Sequence, residues 1–171
     1  NVLFAIIMGT YMLPVAATYI PSYIILAKLN LLNTFTGLII SNAVSIFGIF
    51  LLRQAFMQVP VGVIEAARID GCGYVQTWVK VIFPIARPGI MTAAVLAFLN
   101  NWNEYYWASL VLITREKLTV PALLSTFTTS FNTNYNGLFS AMVVIILPPV
   151  ILYCVFSKFF IEALSGGAVK G

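Results

Sequence analysis

Charged side chains are scarce in this sequence, and they gather in one stretch. Of its nine basic and five acidic residues, five lie between positions 65 and 89, namely Glu65, Arg68, Asp70, Lys80 and Arg87. Long apolar runs precede and follow this stretch, so its charges predict a water-exposed surface that another protein can bind. The sequence has no histidine, and Cys72 and Cys154 lack the spacing of metal ligands. We therefore expect two free thiols, no metal site and no other bound cofactor.

A helix-turn-helix is predicted between about residues 60 and 88. Pro60 suits the start of a helix over 61–70, and Gly71 stands where a left-handed residue commonly ends a helix. A second helix is expected over about 74–83. Two prolines are then expected to break the chain before the next apolar run, Pro84 and Pro88.

The first of these helices combines small side chains with apolar ones. Small residues allow close entry into a groove, and apolar residues anchor a helix there. Here they are Gly62, Ala66, Ala67, Val61, Ile64 and Ile69. Glu65 and Arg68 are three positions apart and are expected to pair along the helix. The helix is therefore predicted to dock to a partner, with burial against the protein's own spans as the alternative.

The composition predicts an integral membrane protein. Hydrophobic residues make up 61% and charged residues 8% of the chain, whose mean hydropathy is +0.98, whereas a soluble domain has about 25% charged residues. A spanning helix needs roughly 20 apolar residues, so the charge-free runs leave room for about four spans. We predict an all-α, polytopic transmembrane bundle that forms one domain over residues 1–171. The basic residues are scattered at span ends, which is typical of membrane topology and not of a nucleic-acid surface.

The four spans are expected at about residues 2–27, 35–58, 89–113 and 138–160. Thr34 suits the N-cap of the second span, in which Gly37 and Gly48 would allow another helix to approach closely. Prolines are expected to kink the first and last spans, at Pro14, Pro21, Pro148 and Pro149. Residues 121–137 are expected to form an amphipathic interfacial helix and a loop.

Two polar groups interrupt the apolar spans. Asn42 and Ser45, three positions apart, are expected to share a face of the second span, either as interhelical hydrogen-bonding residues or as solute contacts. Asn101, Asn103 and Glu104 occupy the third span. Because a charge at the bilayer centre costs roughly 2.5–3.5 kcal/mol, Glu104 is expected near a cavity or the outer interface. Nearby aromatic residues favour the interface, although aromatics beside amides also suit a sugar pathway: Trp102, Tyr105, Tyr106 and Trp107.

Several segments together resemble a known family. Glu65-Ala66-Ala67 with Gly71, followed by the stretch around Pro84, is similar to the EAA loop of binding-protein-dependent ABC importer permeases. Phe83 stands where that family usually has Leu. Residues 101–104 and the tail 160–171 extend the resemblance to the carbohydrate-uptake branch, in particular the maltose MalG type. The resemblance covers essentially the whole chain.

The resemblance implies a cytoplasmic ATPase as a partner. In the family the EAA loop forms coupling helices that sit in a groove of this ATPase, which implies that the corresponding residues face it here: Glu65, Ala66, Ala67, Asp70 and Gly71, with Arg68 among them. A tail of this kind can also reach the ATPase dimer, which would bring Gly167 and Lys170 close to it. On composition alone, residues 165–171 would be disordered.

The same resemblance implies further partner proteins and two additional membrane spans. It implies a second permease subunit, two ATPase subunits and an extracytoplasmic solute-binding protein that the loop before the last span could touch. Family members usually have six spans, so the first two are expected to be missing from a chain that opens on Asn1.

The resulting prediction is a permease subunit of an ATP-driven importer for a sugar or sugar-like solute in a bacterial inner membrane. Placing the helix-turn-helix and the C-terminus in the cytoplasm leaves six basic residues inside and three outside, in agreement with the positive-inside rule. The sequence has no G-x-x-x-x-G-K-[ST] segment, so ATP hydrolysis is expected from a partner. The alternatives are an ion-coupled secondary transporter, for which Glu104 is the acidic candidate, and a non-transporting membrane scaffold.

Overall fold

The computed structural model describes residues 2–127 and 135–168, with side chains through Ser157. Every regular element in this part of the chain is helical, which confirms the all-α prediction. The α-helices are α1 (Val2–Thr10), α2 (Val15–Lys28), α3 (Phe35–Asn42), α4 (Ile46–Met57), α5 (Val61–Ile69), α6 (Tyr74–Thr77), α7 (Phe83–Trp102), α8 (Tyr106–Val111), α9 (Val120–Leu124) and α10 (Tyr135–Ala168). A π-helical turn, Trp78–Ile82, joins α6 to α7, and short 3-10 turns occur at Arg115–Lys117 and Ser125–Phe127.

The long apolar helices account for the membrane-spanning part of the chain. Within the described residues, two helices are long and apolar enough to cross a membrane, Tyr74–Trp102 and Tyr135–Ser157. Two bent pairs, α1 with α2 and α3 with α4, also meet the requirement when each pair is counted as one span. The total is therefore two to four spans, and its upper limit equals the number predicted from the sequence.

The helix Tyr74–Trp102 runs through Pro84 and Pro88 without a break, so the predicted interruption is wrong. The π turn gives the physical reason. The Phe83 N–H donates to the carbonyl of Trp78, five residues earlier. This wider turn accommodates the ring of Pro84, which in a regular α-helix would clash with the carbonyl four residues before it.

The boundaries predicted for the third span are also wrong. The apolar helix begins at Tyr74 and ends at Trp102, whereas the sequence predicts residues 89–113. Helix α8, which begins at Tyr106, is a separate short element.

Both N-terminal spans are interrupted. Helices α1 and α2 meet at a bend of 92°, and Pro14 is the N-cap of α2, whereas Pro21 lies inside α2 without ending it. In the second span, α3 ends at Asn42 and α4 begins at Ile46. Ser45 therefore lies in the break, and the predicted helical face shared by Asn42 and Ser45 is wrong.

The start of α3 confirms one predicted cap and corrects one predicted contact. Thr34 Oγ1 accepts a hydrogen bond from the Gly37 N–H at 3.0 Å, as expected of an N-cap. Gly37 is buried against the backbone carbonyl of Leu31, which an added Cβ would overlap. The close approach at Gly37 is therefore to the preceding turn and not to another helix.

Helix α10 contains two consecutive prolines, at 148 and 149. Because Pro149 has no N–H, the carbonyl of Ile145 lacks its usual helical donor, and the Trp102 indole N–H donates to that oxygen at 3.1 Å. A neighbouring side chain thus replaces the missing backbone donor. The helix continues to Ala168, beyond its predicted end, so residues 165–168 are helical and not disordered.

Contacts divide the chain into two compact units. Unit 1 comprises Asn1–Ile46 and Phe98–Leu152, and unit 2 comprises Phe47–Ala97 and Tyr153–Gly171. Small residues bring α4 and α7 together in unit 2, where a Cβ on Gly89 would lie 2.5 Å from the Cβ of Ala55. The core of unit 1 is formed by Leu26, Trp107, Val111 and Leu112.

Candidate functional site

The predicted turn at Gly71, in unit 2, has the hydrogen bonds of a Schellman motif. Helix α5 ends at Ile69, and Gly71 has a φ of +82°. The Cys72 N–H donates to the Ala67 carbonyl and the Gly71 N–H donates to the Arg68 carbonyl, each at 3.0 Å. These two bonds satisfy carbonyls at the helix end and confirm the predicted left-handed residue.

The second helix starts directly after this turn. The Gly73 N–H donates to Gln76 Oε1 at 3.4 Å. The hydroxyl of Thr77, which is buried, donates to the Gly73 carbonyl at 3.1 Å. These bonds hold the first turn of α6, so α5 and α6 form the predicted helix-turn-helix.

The charged side chains of the helix-turn-helix lie at its surface. Glu65, Arg68 and Asp70 are all exposed. The guanidinium carbon of Arg68 lies 5.4 Å from the centre of the Tyr74 ring, and no ion pair joins Arg68 to Glu65 in the described part of the chain. The predicted pairing along α5 is wrong, because Tyr74 at the start of α6 offers the guanidinium an aromatic face instead.

Apolar side chains are exposed beside these charges. Ile69 is 86% exposed and Val61 is 67% exposed, whereas Ile64 is half-buried. Ala66 lies at the surface, but Ala67 is only 7% exposed. The side chain of Ala67 therefore packs inside unit 2, although the family resemblance placed it toward a partner.

A cavity in unit 1 brings together three of the residues predicted for a solute pathway. Asn42, Asn101 and Glu104 line a space of about 310 Å³ together with Thr119. The remaining wall is apolar and consists of Leu38, Ile39, Ala43 and Ala108. Two other predicted residues, Ser45 and Asn103, are not part of this wall. The Asn103 side-chain amide, in the turn after α7, instead donates to the carbonyl of Leu99 in that helix at 2.8 Å.

Glu104 is held in place by the helix that follows it. Its Oε1 accepts a hydrogen bond from the backbone N–H of Trp107 at 2.8 Å, which satisfies a donor at the start of α8. The Trp107 ring is 4% exposed, stacks on Tyr19 with ring centres 5.3 Å apart, and donates from its indole N–H to Ser41 Oγ at 2.8 Å. The predicted place of Trp107 in an interfacial aromatic belt is wrong, because its ring lies in the core of unit 1.

Sequence reasoning missed Asn33, which joins two loops of unit 1. Its φ is +55°, a conformation that Asn adopts more readily than most residues. Its N–H donates to the Val111 carbonyl at 2.8 Å, and its Oδ1 accepts from the N–H groups of Ile113 and Thr114. Its Nδ2 donates to the Thr114 hydroxyl, and its carbonyl accepts from Lys117 Nζ at 2.8 Å. These contacts form the Asn33 clasp, whose partners no local sequence signal could have identified.

The long apolar helices, the exposed helix-turn-helix and a cavity lined in part by amide and carboxylate groups are the features of a polytopic membrane protein with the parts of a transport subunit. The chain belongs to the family of binding-protein-dependent transport system inner membrane components, which matches residues 1–166. This finding confirms the resemblance to ABC importer permeases.

Individual relatives agree with this family. The chain is 34% identical to the arabinooligosaccharides transport system permease protein AraQ of Halalkalibacterium halodurans over 171 residues, which are 100% of this chain and 61% of that protein. It is 33% identical to the sn-glycerol-3-phosphate transport system permease protein UgpE of Yersinia pestis over 168 residues, which are 96% of this chain and 59% of that protein.

A solved structure has the same fold. The chain matches the crystal structure of a bacterial ABC transporter involved in the import of the acidic polysaccharide alginate, with a TM-score of 0.77 and 29% identity. The match covers 94% of this chain and 61% of that chain. The chain thus spans about three fifths of the length of these relatives.

Proposed function

We propose that the chain is the permease subunit of a binding-protein-dependent, ATP-driven importer of a sugar or sugar-like solute. The observation that carries the proposal is the exposed helix-turn-helix closed by Gly71, in a chain that belongs to a transport family. Its surface combines charges with the exposed side chains of Ile69 and Val61. Apolar anchors rimmed by charges are what a helix needs to dock in a groove of another protein.

The partner proposed to occupy this surface is a cytoplasmic ATPase. Glu65, Arg68 and Asp70 would orient it through their charges, and Ile69 would be buried in the contact. Ala67 and Gly71 would act indirectly, by holding α5 and the turn in position. The helix that leaves the turn continues without a break from Tyr74 to Trp102. Movement of the docked turn would therefore be carried directly into a membrane-spanning helix.

The remaining subunits belong to the same proposal. They are a second permease subunit, a second copy of the ATPase and an extracytoplasmic solute-binding protein, assembled in a bacterial inner membrane with the helix-turn-helix and the C-terminus in the cytoplasm. ATP hydrolysis is assigned to the ATPase and not to this chain. A contact of the tail with the ATPase stays a prediction, since Gly167 lies at the end of α10 and Lys170 lies outside the described residues.

The solute proposed is rich in hydroxyl groups. The relatives are named for arabinooligosaccharides and sn-glycerol-3-phosphate, and the structural relative takes part in the import of alginate. Hydroxyl groups both donate and accept hydrogen bonds, so they suit the amide and carboxylate groups of the unit 1 cavity. We therefore place Asn42, Asn101 and Glu104 in the wall of the solute pathway.

A matched pair of substitutions tests the docking surface. Ile69→Ser removes an exposed apolar side chain from the proposed contact, and Ile113→Ser makes the same change at a side chain that is 67% exposed in unit 1. Burial of such a side chain contributes about 1.5–3 kcal/mol, so Ile69→Ser should weaken ATPase binding about 10-fold or more. The complex, purified from its own membranes and reconstituted in liposomes with its binding protein, would be tested for ATPase retention and ATP-driven uptake of arabinotriose.

We expect opposite results for the two variants in ATPase retention and ATP-dependent uptake. Loss of the ATPase and of ATP-dependent uptake in Ile69→Ser, with both retained in Ile113→Ser, would support the proposal. Equal behaviour of the two variants would contradict the docking assignment. Uptake driven by an ion gradient without ATP would replace the proposed function by secondary transport.

A further inference from the structure

The segment that follows Gly73 in unit 2 turns an apolar face away from the protein. Thr77 is buried, with 5% of its surface exposed. Val75 and Val79 lie two positions before and after it, so they point to the opposite side of the helix. They are 76% and 52% exposed, respectively. The outward side of this segment is therefore apolar, whereas the outward side of a helix in water is usually polar.

The π-helical turn adds two aromatic side chains to the same side. The Phe83 N–H donates to the carbonyl of Trp78 five residues earlier, which places these two residues one above the other. Their rings pack with centres 5.7 Å apart, and both side chains are exposed. The four residues Val75, Trp78, Val79 and Phe83 form the outer apolar face.

The length of the helix indicates what covers the outer apolar face. The helix Tyr74–Trp102 has 29 residues, which at 1.5 Å per residue corresponds to about 43 Å. A bilayer is about 30 Å thick in its hydrocarbon core and about 40–45 Å thick with its headgroup regions. The first turns of this helix therefore match the depth of the lipid headgroups, where tryptophan is enriched.

The charge of this segment selects among lipids. Lys80 and Arg87 are the charged residues between positions 71 and 103, so this stretch contains no acidic residue. The side chain of Lys80 is exposed and has no hydrogen bond or ion pair with any residue that the structure describes. Side chains on a helix lean toward its N-terminus, which here is the headgroup end, so the Lys80 ammonium can extend to the lipid phosphates. Its charge complements that of an anionic headgroup.

We propose that the outer apolar face and Lys80 bind the lipid leaflet next to the helix-turn-helix, with Lys80 paired to the headgroup of an anionic phospholipid. The inference goes beyond the proposed function, from which it takes only the assignment of this leaflet to the cytoplasmic side. The helix-turn-helix then has two contacts of different kinds, with Ile69 directed to the ATPase and the outer apolar face directed to the membrane.

Photocrosslinking identifies what covers each surface. Val79→p-benzoylphenylalanine places a photoreactive group on the outer apolar face, and Ile69→p-benzoylphenylalanine places the same group on the surface proposed for the ATPase. Both native side chains are exposed, so the larger group does not enter a packed core. The complete importer complex is reconstituted in nanodiscs of phosphatidylethanolamine and phosphatidylglycerol with identical acyl chains. After irradiation, mass spectrometry of the subunits should find phospholipid adducts at position 79 and adducts with the ATPase subunit at position 69.

Lys80→Gln separates the charge from the apolar contact. With Lys80 present, the ratio of phosphatidylglycerol to phosphatidylethanolamine among the adducts at position 79 should exceed the ratio in the nanodisc about 5-fold, which is the effect of one basic residue near an anionic surface. Lys80→Gln should bring the adducts to the nanodisc ratio. Lys28→Gln is the matched control, because this lysine is exposed at the end of α2 in unit 1, and it should leave the 5-fold excess unchanged.

Three results would overturn the inference. The first is a protein adduct in place of phospholipid at position 79, which would assign the outer apolar face to another subunit. The second is an adduct ratio equal to the nanodisc ratio with Lys80 present, and the third is an unchanged excess in Lys80→Gln. Failure of the proposed function gives a different result, namely no ATPase adduct at position 69 and no ATP-driven uptake, with the phospholipid adducts at position 79 retained.

Discussion

Replacement of Gly71 tests whether the docking turn depends on its backbone conformation. Gly71 has a φ of +82°, and a Cβ added there would have no atom within 4 Å. The Gly71→Ala variant therefore meets no steric obstruction, and its cost is that of an L-residue in the left-handed region, about 1 kcal/mol. This cost corresponds to a roughly 5-fold larger population of the open turn.

Two control substitutions separate backbone conformation from side-chain size. Gly71→Asn adds a larger side chain, but Asn adopts the left-handed region more readily, so its loss should be smaller. Gly62 also has no atom within 4 Å of an added Cβ, and it lies inside α5. Gly62→Ala should therefore stabilise the helix by about 0.5–1 kcal/mol, the opposite sign to Gly71→Ala.

Amide hydrogen exchange over residues 61–73 of the purified complex measures all three variants. Exchange should be about 5-fold faster in Gly71→Ala, less accelerated in Gly71→Asn and slower in Gly62→Ala. A rate in Gly71→Ala equal to that of the wild type would refute the reasoning. So would a loss of protection in Gly71→Asn as large as that in Gly71→Ala.

Three further predictions concern packing and hydrogen bonds. Gly89→Ala should destabilise unit 2 by about 1–3 kcal/mol, because its Cβ would lie 2.5 Å from that of Ala55; adding Ala55→Gly should restore the thermal midpoint, and no recovery would contradict this packing. Trp102→Phe should lower the free energy of unfolding by about 1 kcal/mol, but not in a Pro149→Ala background, where a backbone N–H again serves the carbonyl; equal losses in denaturant titrations of both backgrounds would exclude the compensation. Asn33→Ala should open the clasp at a cost of about 1–3 kcal/mol and speed trypsin cleavage at basic positions 115 and 117. Asn33→Asp, which keeps the acceptor, should be cleaved at an intermediate rate in timed digests, and identical rates for both variants would count against the clasp.

Features set by neighbouring residues could be predicted from the sequence. The N-cap at Thr34 and the left-handed residue at Gly71 each depend on hydrogen bonds within a few positions. The apolar content of the helices depends on composition alone. These features were predicted correctly because no distant residue is needed to define them.

Features that depend on distant or cooperative contacts could not be predicted from the sequence. The helix passes Pro84 because the preceding turn is π-helical, and no residue type marks such a turn. The sequence predicts an interfacial position for Trp107. Its burial could not be predicted, because it depends on Tyr19 and Ser41, which are far away in the sequence. The polar residues of the spans identify Asn42 and Glu104 for the cavity, but Thr119 could not be predicted, because it reaches the cavity wall only through the folding of a distant segment.

The Asn33 clasp joins two segments that the ribosome synthesises at different times. Its acceptor binds N–H groups that lie 80 and 81 residues further along the chain, and a ribosome adding about 5–20 residues per second needs roughly 4–16 s to synthesise about 80 residues. During that interval the polar groups of Asn33 need water, because each group left unpaired in lipid would cost several kcal/mol. We therefore expect the nascent loop to stay at the aqueous surface until its partner emerges. The stacking of Trp107 on Tyr19 uses a residue that is synthesised earlier than Ile113 and Thr114, so closure of the clasp is expected to complete the joining of the two segments of unit 1 and not to begin it.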